Sequence, residues 1–230
     1  MTLPSLCPQP NDRPEVLGPH VSAGSRVKRI IDISIALLVL VFAAPLFAVI
    51  AVLVATTSRG AILFRQERVG LGGCRFTMVK FRTMRIDADE SVHREYVLSM
   101  VRHTPANAKR VGAFKLAGDS RITRIGSFLR KTSLDELPQF LNVLVGDMSV
   151  VGPRPPLPYE VEQYEGWQVA RLSARPGITG LWQVSGRNRM SYVDMCRRDA
   201  DYLRSWSHLG DMLIVVRTPW VMLANSGRGG

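Results

Sequence analysis

The sequence predicts an α+β protein, mostly helical: a membrane re-entrant helix-break-helix, a small β-hairpin and amphipathic interfacial helices. Three observations predict it. One uncharged apolar run lies near the N-terminus, two short β-tolerant segments flank a glycine cluster, and apolar residues recur at helical spacing through much of the rest. The 230 residues suffice for one substantial core, and a hydrophobic content of 46% with 21% charged residues excludes a disordered chain.

Residues 1–25 are Pro-rich without apolar periodicity and read as a flexible N-terminal tail. Residues 26–58 carry the apolar run. From Ile33 to Ala55, about 23 residues or roughly 34 Å of helix, Ser34 is the one strongly polar side chain. The run is too long for the apolar region of a signal peptide. A single spanning anchor is the simplest reading, but Arg26, Lys28 and Arg29 precede the run and Arg59, Arg65 and Arg68 follow it. The positive-inside rule then wants both flanks on the cytoplasmic side. A helix that enters, breaks at Ala44-Pro45 and returns satisfies both flanks.

Residues 59–223 form the expected body on the cytoplasmic face, and 224–230 a C-terminal tail. Ala61–Arg68 and Arg75–Met84 around Gly70-Leu71-Gly72-Gly73 predict a hairpin. Helices are expected over Asp87–His103, Ile122–Arg130, Leu137–Leu144, Glu160–Leu172, Ser191–Trp206 and Leu209–Leu223. Gly152–Pro156 is a stiff extended turn and Pro176–Arg187 a Gly-punctuated loop. Arg204, Trp206, Arg217 and Trp220 have the character of an interfacial belt, with ordinary core-facing helices as the equal alternative.

Thirty Lys and Arg against nineteen Asp and Glu give a net charge of +11, which points to a polyanionic partner: nucleic acid, an anionic membrane or phosphorylated substrates. Three scattered cysteines without a C-x-x-C argue against a disulfide framework or thiolate metal site. Phosphate loops, H-E-x-x-H, G-x-S-x-G and G-x-G-x-x-G are absent. Two D-x-D triplets, Asp87-Ala88-Asp89 and Asp199-Ala200-Asp201, could hold Mg²⁺ with a sugar nucleotide, although such a triplet is usually a hydrated helix face.

The dense stretch runs from Arg124 to Pro138. Ser133 with Glu136 three residues on is a capping-box pattern, and Asp135 a good N-cap, so capping would explain either acid. It leaves Arg121, Arg124, Arg130 and Lys131 unexplained. Phosphate chemistry explains the combination: guanidinium forks bind phosphate oxygens, one carboxylate attacks phosphorus and its neighbour holds Mg²⁺. An Asp is ionised at neutral pH and needs no general base. Lys80-Phe81-Arg82 is expected to set two cations on opposite faces of a strand end, Arg154 sits between prolines, and Arg175 and Arg187 bracket a glycine loop.

The order K-F-R-T-M (Lys80–Met84), L-R-K-T-S-L-D-E-L-P-Q (Leu129–Gln139), G-D-M-S-V-V-G-P-R-P (Gly146–Pro155) and R-P-G-I-T-G-L-W-Q-V-S-G-R (Arg175–Arg187) strongly resembles the bacterial sugar transferase family. These are the monotopic phosphoglycosyl transferases that start exopolysaccharide assembly. The resemblance spans Val27 to Val221. It implies a re-entrant helix, which many members break at Ser-Pro where this chain has Ala44-Pro45. It implies Asp135 as nucleophile and Glu136 as the Mg²⁺-associated carboxylate. Lys80, Arg130 and Arg154 fall on positions associated with phosphate binding, and Arg82, Arg175 and Arg187 are carried over with them. The expected reaction moves galactose- or glucose-1-phosphate from UDP-hexose to polyprenyl phosphate through a phosphosugar-aspartyl intermediate, releasing UMP, at the cytoplasmic face of the bacterial inner membrane. Mg²⁺ is the expected cofactor and membrane lipid a partner; nucleic acid is not. Two alternatives compete: a membrane-anchored metal-dependent glycosyltransferase using Asp87-Ala88-Asp89 and releasing UDP, and a non-enzymatic basic membrane-binding protein.

Overall fold

The computed structural model describes residues 25–85, 91–102, 121–186 and 190–226. Helix α1 (Arg26–Thr57) is continuous for 32 residues, about 48 Å at 1.5 Å per residue. It runs through Pro45, so the expected interruption at Ala44-Pro45 is not present. A proline removes only its own N–H bond to the carbonyl four residues back, and the bonds on either side can carry the helix past it.

The two ends of α1 both pack against the body. Near the start, the buried Lys28 Nζ donates to Asp211 Oδ2 at 2.6 Å and to the Val151 carbonyl at 3.1 Å. Asp32, also buried, accepts from the Val150 amide and the Ser149 hydroxyl. Near the end, Ile50 and Val54 join Phe81 and Leu129 in a small core. Between them Leu37, Leu38, Val41, Phe42, Leu46 and Val49 stand exposed. The most apolar 18-residue window of α1 is 11% buried, whereas a soluble core helix of this hydropathy would be mostly covered.

Strands β1 (Leu63–Val69) and β2 (Arg75–Phe81) pair antiparallel from Leu63↔Phe81 to Val69↔Arg75, the expected hairpin. Its turn uses Gly72 and Gly73 at positive φ. The register puts Phe64, Gln66 and Arg68 on the same face as Phe76, Met78 and Lys80. Residues two apart on a strand share a face, so periodicity did not license opposite faces for Lys80 and Arg82. Because β2 stops at Phe81, Arg82 lies beyond the strand, and its guanidinium donates to the Ser58 carbonyl just after α1 at 2.7 Å.

Helix α2 (Ser91–Arg102) lies within the expected Asp87–His103 segment. Helix α3 (Arg124–Thr132) is capped by Thr123, which accepts from the Gly126 amide, and a 3-10 turn (Leu134–Glu136) leads to α4 (Gln139–Val145). The final carbonyls of α4 are covered by arginines: Arg29 donates to Val143 and Leu144, Arg175 to Gly146. Helix C-termini carry unpaired carbonyls and negative dipole ends, which cations complement.

Two three-residue strands, β3 (Ser149–Val151) and β4 (Gly177–Thr179), pair in parallel. They were not anticipated. Beside them the backbones of Gly152 and Gly177 meet, and a Cβ on Gly177 would lie 2.1 Å from the Gly152 nitrogen. Gly177→Ala is therefore expected to cost about 3 kcal/mol or more of stability, read as a lowered urea midpoint, because the obstruction is backbone and cannot rotate away.

The expected helix Glu160–Leu172 is instead α5 (Pro158–Val161), α6 (Gly166–Val169) and a 3-10 turn, Ala170–Ser173. The reason is local: Glu165 and Gln168 form a capping box that restarts the chain at Gly166. The expected loop Pro176–Arg187 contains β4 and α7 (Leu181–Ser185). Helices α8 (Tyr192–Arg204) and α9 (His208–Ser226) match the two expected last. On α9, Leu209, Met212, Leu213, Val216 and Trp220 are exposed. Trp206 leaves the proposed belt: its indole N–H donates to Asp211. Cys196 is a free buried thiol. The main core gathers Ala36 of α1, Val143, Met148, Val150 and Val151, and Tyr202, Leu203 and Ile214 of α8 and α9.

Candidate active site

The reversal between α3 and α4 presents two carboxylates. Ser133 sits at φ 56°, the one non-glycine residue with left-handed backbone among the described residues, and its side chain makes no capping bond to the turn that follows. The capping box expected from Ser133 and Glu136 is thus not formed, and neither acid is an N-cap. Asp135 is 7% exposed on the 3-10 turn, which packs against β2.

Lys80, on β2, lies over the Phe64 ring at 5.3 Å. Burial first, and the Arg68 guanidinium next, bring its ammonium down to about 8, with Asp135 and Glu136 opposing the shift. Arg130 Nε donates to the Thr83 hydroxyl at 2.8 Å, which fixes its stem on the segment after β2, and its charge also reaches Lys80. Lys80, Arg130, Asp135 and Glu136 therefore form one electrostatic group. An ammonium titrating near 8 predicts that kcat/KM for an anionic substrate falls about tenfold per pH unit above pH 8, and that Lys80→Arg removes that limb. Stability moves the other way. Between about 8 and the ordinary 10.5 the unfolded chain holds more protons at this site, so folding becomes more favourable as pH rises.

Arg154 is engaged elsewhere. Its Nη1 donates to both oxygens of Glu160, at 2.9 and 3.2 Å, and its backbone amide donates to Asp199. Glu160 is 0% exposed and receives the Tyr192 hydroxyl as well. Asp199, also fully buried, accepts from Arg171 at 2.7 and 3.0 Å. The triplet Asp199-Ala200-Asp201 is hence split: Asp199 serves Arg171, and Asp201 faces Arg198 and Arg204 at the surface. Asp87-Ala88-Asp89 and Arg187 lie outside the described residues. Arg82 and Arg175, on Ser58 and Gly146, hold helix ends.

In the sequence Arg68 is one flanking cation among several and Glu160 only the first residue of an expected helix. Arg68 is 7% exposed and bonded to the Pro155 carbonyl (2.9 Å) and Gln66 Oε1 (2.6 Å). Burial, then Arg154, bring it down to about 10. The usable signal was the hairpin register, which places Arg68 on the face that carries Lys80.

Among the described residues no group of three or more His, Cys, Asp or Glu comes together to hold a metal. A lone carboxylate such as Glu136 suits an ion like Mg²⁺ that keeps waters and shares substrate phosphates, and does not suit an all-protein cage.

A family model described as bacterial sugar transferase matches residues 23–225. The exopolysaccharide production protein ExoY of Rhizobium meliloti is 40% identical over 205 residues, 89% of each chain. A UDP-glucose:undecaprenyl-phosphate glucose-1-phosphate transferase of Caulobacter vibrioides is 41% identical over 87% of this chain and 70% of its own. An undecaprenyl-phosphate galactose phosphotransferase of Salmonella typhimurium is 41% identical over 87% of this chain but 41% of its own length. A match across nearly the whole described body, around an Asp–Glu turn beside half-buried cations, settles the relationship: the chain belongs to the bacterial sugar transferase family.

Proposed function

We propose that the protein transfers hexose-1-phosphate, of galactose or glucose, from UDP-hexose to polyprenyl phosphate, the first step of exopolysaccharide repeat-unit assembly. The observation that carries this reading is the Asp135–Glu136 turn facing Lys80 and Arg130, joined to relatives whose names specify that transfer.

In the proposed reaction an Asp135 oxygen bonds to the β-phosphorus of the donor, the phosphorus–oxygen bond to the α-phosphate breaks, and UMP leaves with that bonding pair. The polyprenyl phosphate oxygen then attacks the same phosphorus, forming the polyprenyl diphosphate sugar and returning the Asp135 carboxylate. Lys80 and Arg130 offset the phosphate charges as they redistribute. Mg²⁺, held by Glu136 together with the donor diphosphate, would neutralise further charge. By resemblance Arg154, Arg82, Arg175 and Arg187 complete the proposed binding set, the first three held in place by Glu160 and by the Ser58 and Gly146 carbonyls.

The acceptor is a lipid, so the site belongs at the bilayer surface. Support comes from α1, whose two ends pack on one body while its apolar middle is exposed. A straight crossing would put the ends on opposite sides; in the proposed seating α1 dips in from the cytoplasmic face of the inner membrane and returns, bending at Pro45 without losing its helical continuity, which accounts for both packings. Phe128 on α3 and Leu141 and Val145 on α4, flanking the Asp135 turn, are exposed apolar side chains suited to the same surface.

The test is the nucleotide product. Purified protein in detergent with Mg²⁺, UDP-galactose or UDP-glucose and polyprenyl phosphate is expected to release UMP in proportion to lipid-linked sugar. Release of UDP would instead establish glycosyl transfer, and no product with either sugar would overturn the reading.

A further inference from the structure

Arg68 is a buried cation that the proposed mechanism leaves unused. Its guanidinium has three nitrogens, and the structure accounts for two: Nη1 on the Pro155 carbonyl and Nη2 on Gln66 Oε1. The third, Nε, is buried and has no hydrogen-bond partner. Both anchored contacts are to neutral oxygens, so the charge is held in place without being neutralised. Glu160 is near enough to favour the charged form, but its two oxygens are committed to Arg154 and Tyr192.

A strut needs neither a third donor nor a full charge. Burying an uncompensated cation is costly, and an unsatisfied buried N–H adds to that cost. Placement narrows the purpose. Arg68 shares a sheet face with Lys80, and interacts electrostatically with Lys80, with Glu136 and with Arg154. It therefore lies between the cation group at Asp135 and the Arg154–Glu160 pair. Arg154, the cation that its Pro-Arg-Pro setting pointed to as a phosphate ligand, is neutralised by Glu160; Arg68 is not.

We propose that Arg68 is a phosphate-binding residue of the active site, its Nε–H donating to an oxygen of a substrate phosphate. Pro155 and Gln66 pre-set the guanidinium so that little side-chain freedom is lost on binding. The assignment rests on the phosphoglycosyl-transfer reading. The phosphate chemistry is shared by the donor's diphosphate and the lipid acceptor's monophosphate, so the two must be tested apart.

The experiment uses the full chain in detergent micelles, as wild type, Arg68→Gln and Arg68→Lys. Affinity is measured for UDP and, separately, for farnesyl phosphate, each at two salt concentrations. A charge-assisted hydrogen bond lost from a site of this kind weakens binding about tenfold or more. Arg68→Gln is expected to lose that much for one probe with a shallower salt dependence, and Arg68→Lys to fall between. The probe that moves identifies the phosphate. A purely structural role would lower the melting temperature and leave both affinities and salt slopes in place. Affinities within twofold of wild type for both probes in folded Arg68→Gln overturn the proposal, as does wild type that binds neither. Should Arg68→Gln fail to fold, Arg68→Lys decides by the same criterion. UMP release by wild type is followed in parallel: its failure removes the transfer reading, whereas the binding arms still report on Arg68.

Discussion

Asp135→Asn is expected to abolish both UMP release and the hexose-phosphate mass adduct when UDP-hexose is supplied without a lipid acceptor, with a loss of at least about 10³-fold in turnover. The substitution keeps the shape of a side chain that is 7% exposed and removes only the charge that attacks phosphorus in the proposed reaction. Wild type should show at most one UMP per chain, because on the proposed mechanism the intermediate discharges only to polyprenyl phosphate. Intact mass spectrometry with nucleotide quantification reads both quantities from one sample. UMP that appears only with acceptor present, and never with an adduct, would preserve the transferase and eliminate the aspartyl intermediate.

Glu160→Gln is expected to cost about 3–5 kcal/mol, seen as a lowered urea midpoint. The amide leaves Arg154 buried beside Arg171 and Arg68 with its counter-charge gone. Although burial alone would raise it, the Arg154 and Arg68 guanidiniums hold the Glu160 carboxyl below its ordinary 4.5. A carboxylate depressed in the folded state contributes stability above its unfolded value, and that contribution disappears as pH falls through the folded one. The wild type should therefore lose stability on acidification below about pH 4.5, and Glu160→Gln should lack that part of the loss. Equal acid profiles would show the ion pair to be energetically idle.

Much of the candidate chemistry was legible because it is local. Asp135, Glu136 and Arg130 lie within seven consecutive residues, and a glycine cluster between β-tolerant segments is enough to mark a hairpin. What escaped depends on contacts between distant segments. Strands β3 and β4 are three residues each, too short to show a period, and each is defined by the other. Glu160 reads as one acid in an apparently helical stretch, and only the fold carries Tyr192 and Arg154 to it. Arg82 and Arg175 stand in motif positions, yet their guanidiniums end on main-chain carbonyls at helix ends. A motif names the residue type; it does not say whether the cation faces ligand or backbone.

The double attachment of α1 has a kinetic meaning. A tail joined at one end can detach from a bilayer while its protein stays folded, and its residence time then follows from partitioning. Here the first turns of α1 are tied by Lys28 to Asp211 and by Asp32 to β3, and its last turns are built into the core of Phe81 and Leu129. On the proposed topology the segment can leave lipid only if one of those attachments opens. Escape from the membrane and unfolding of the body would then share a barrier, and the time spent on the surface would be set by how slowly the protein unfolds.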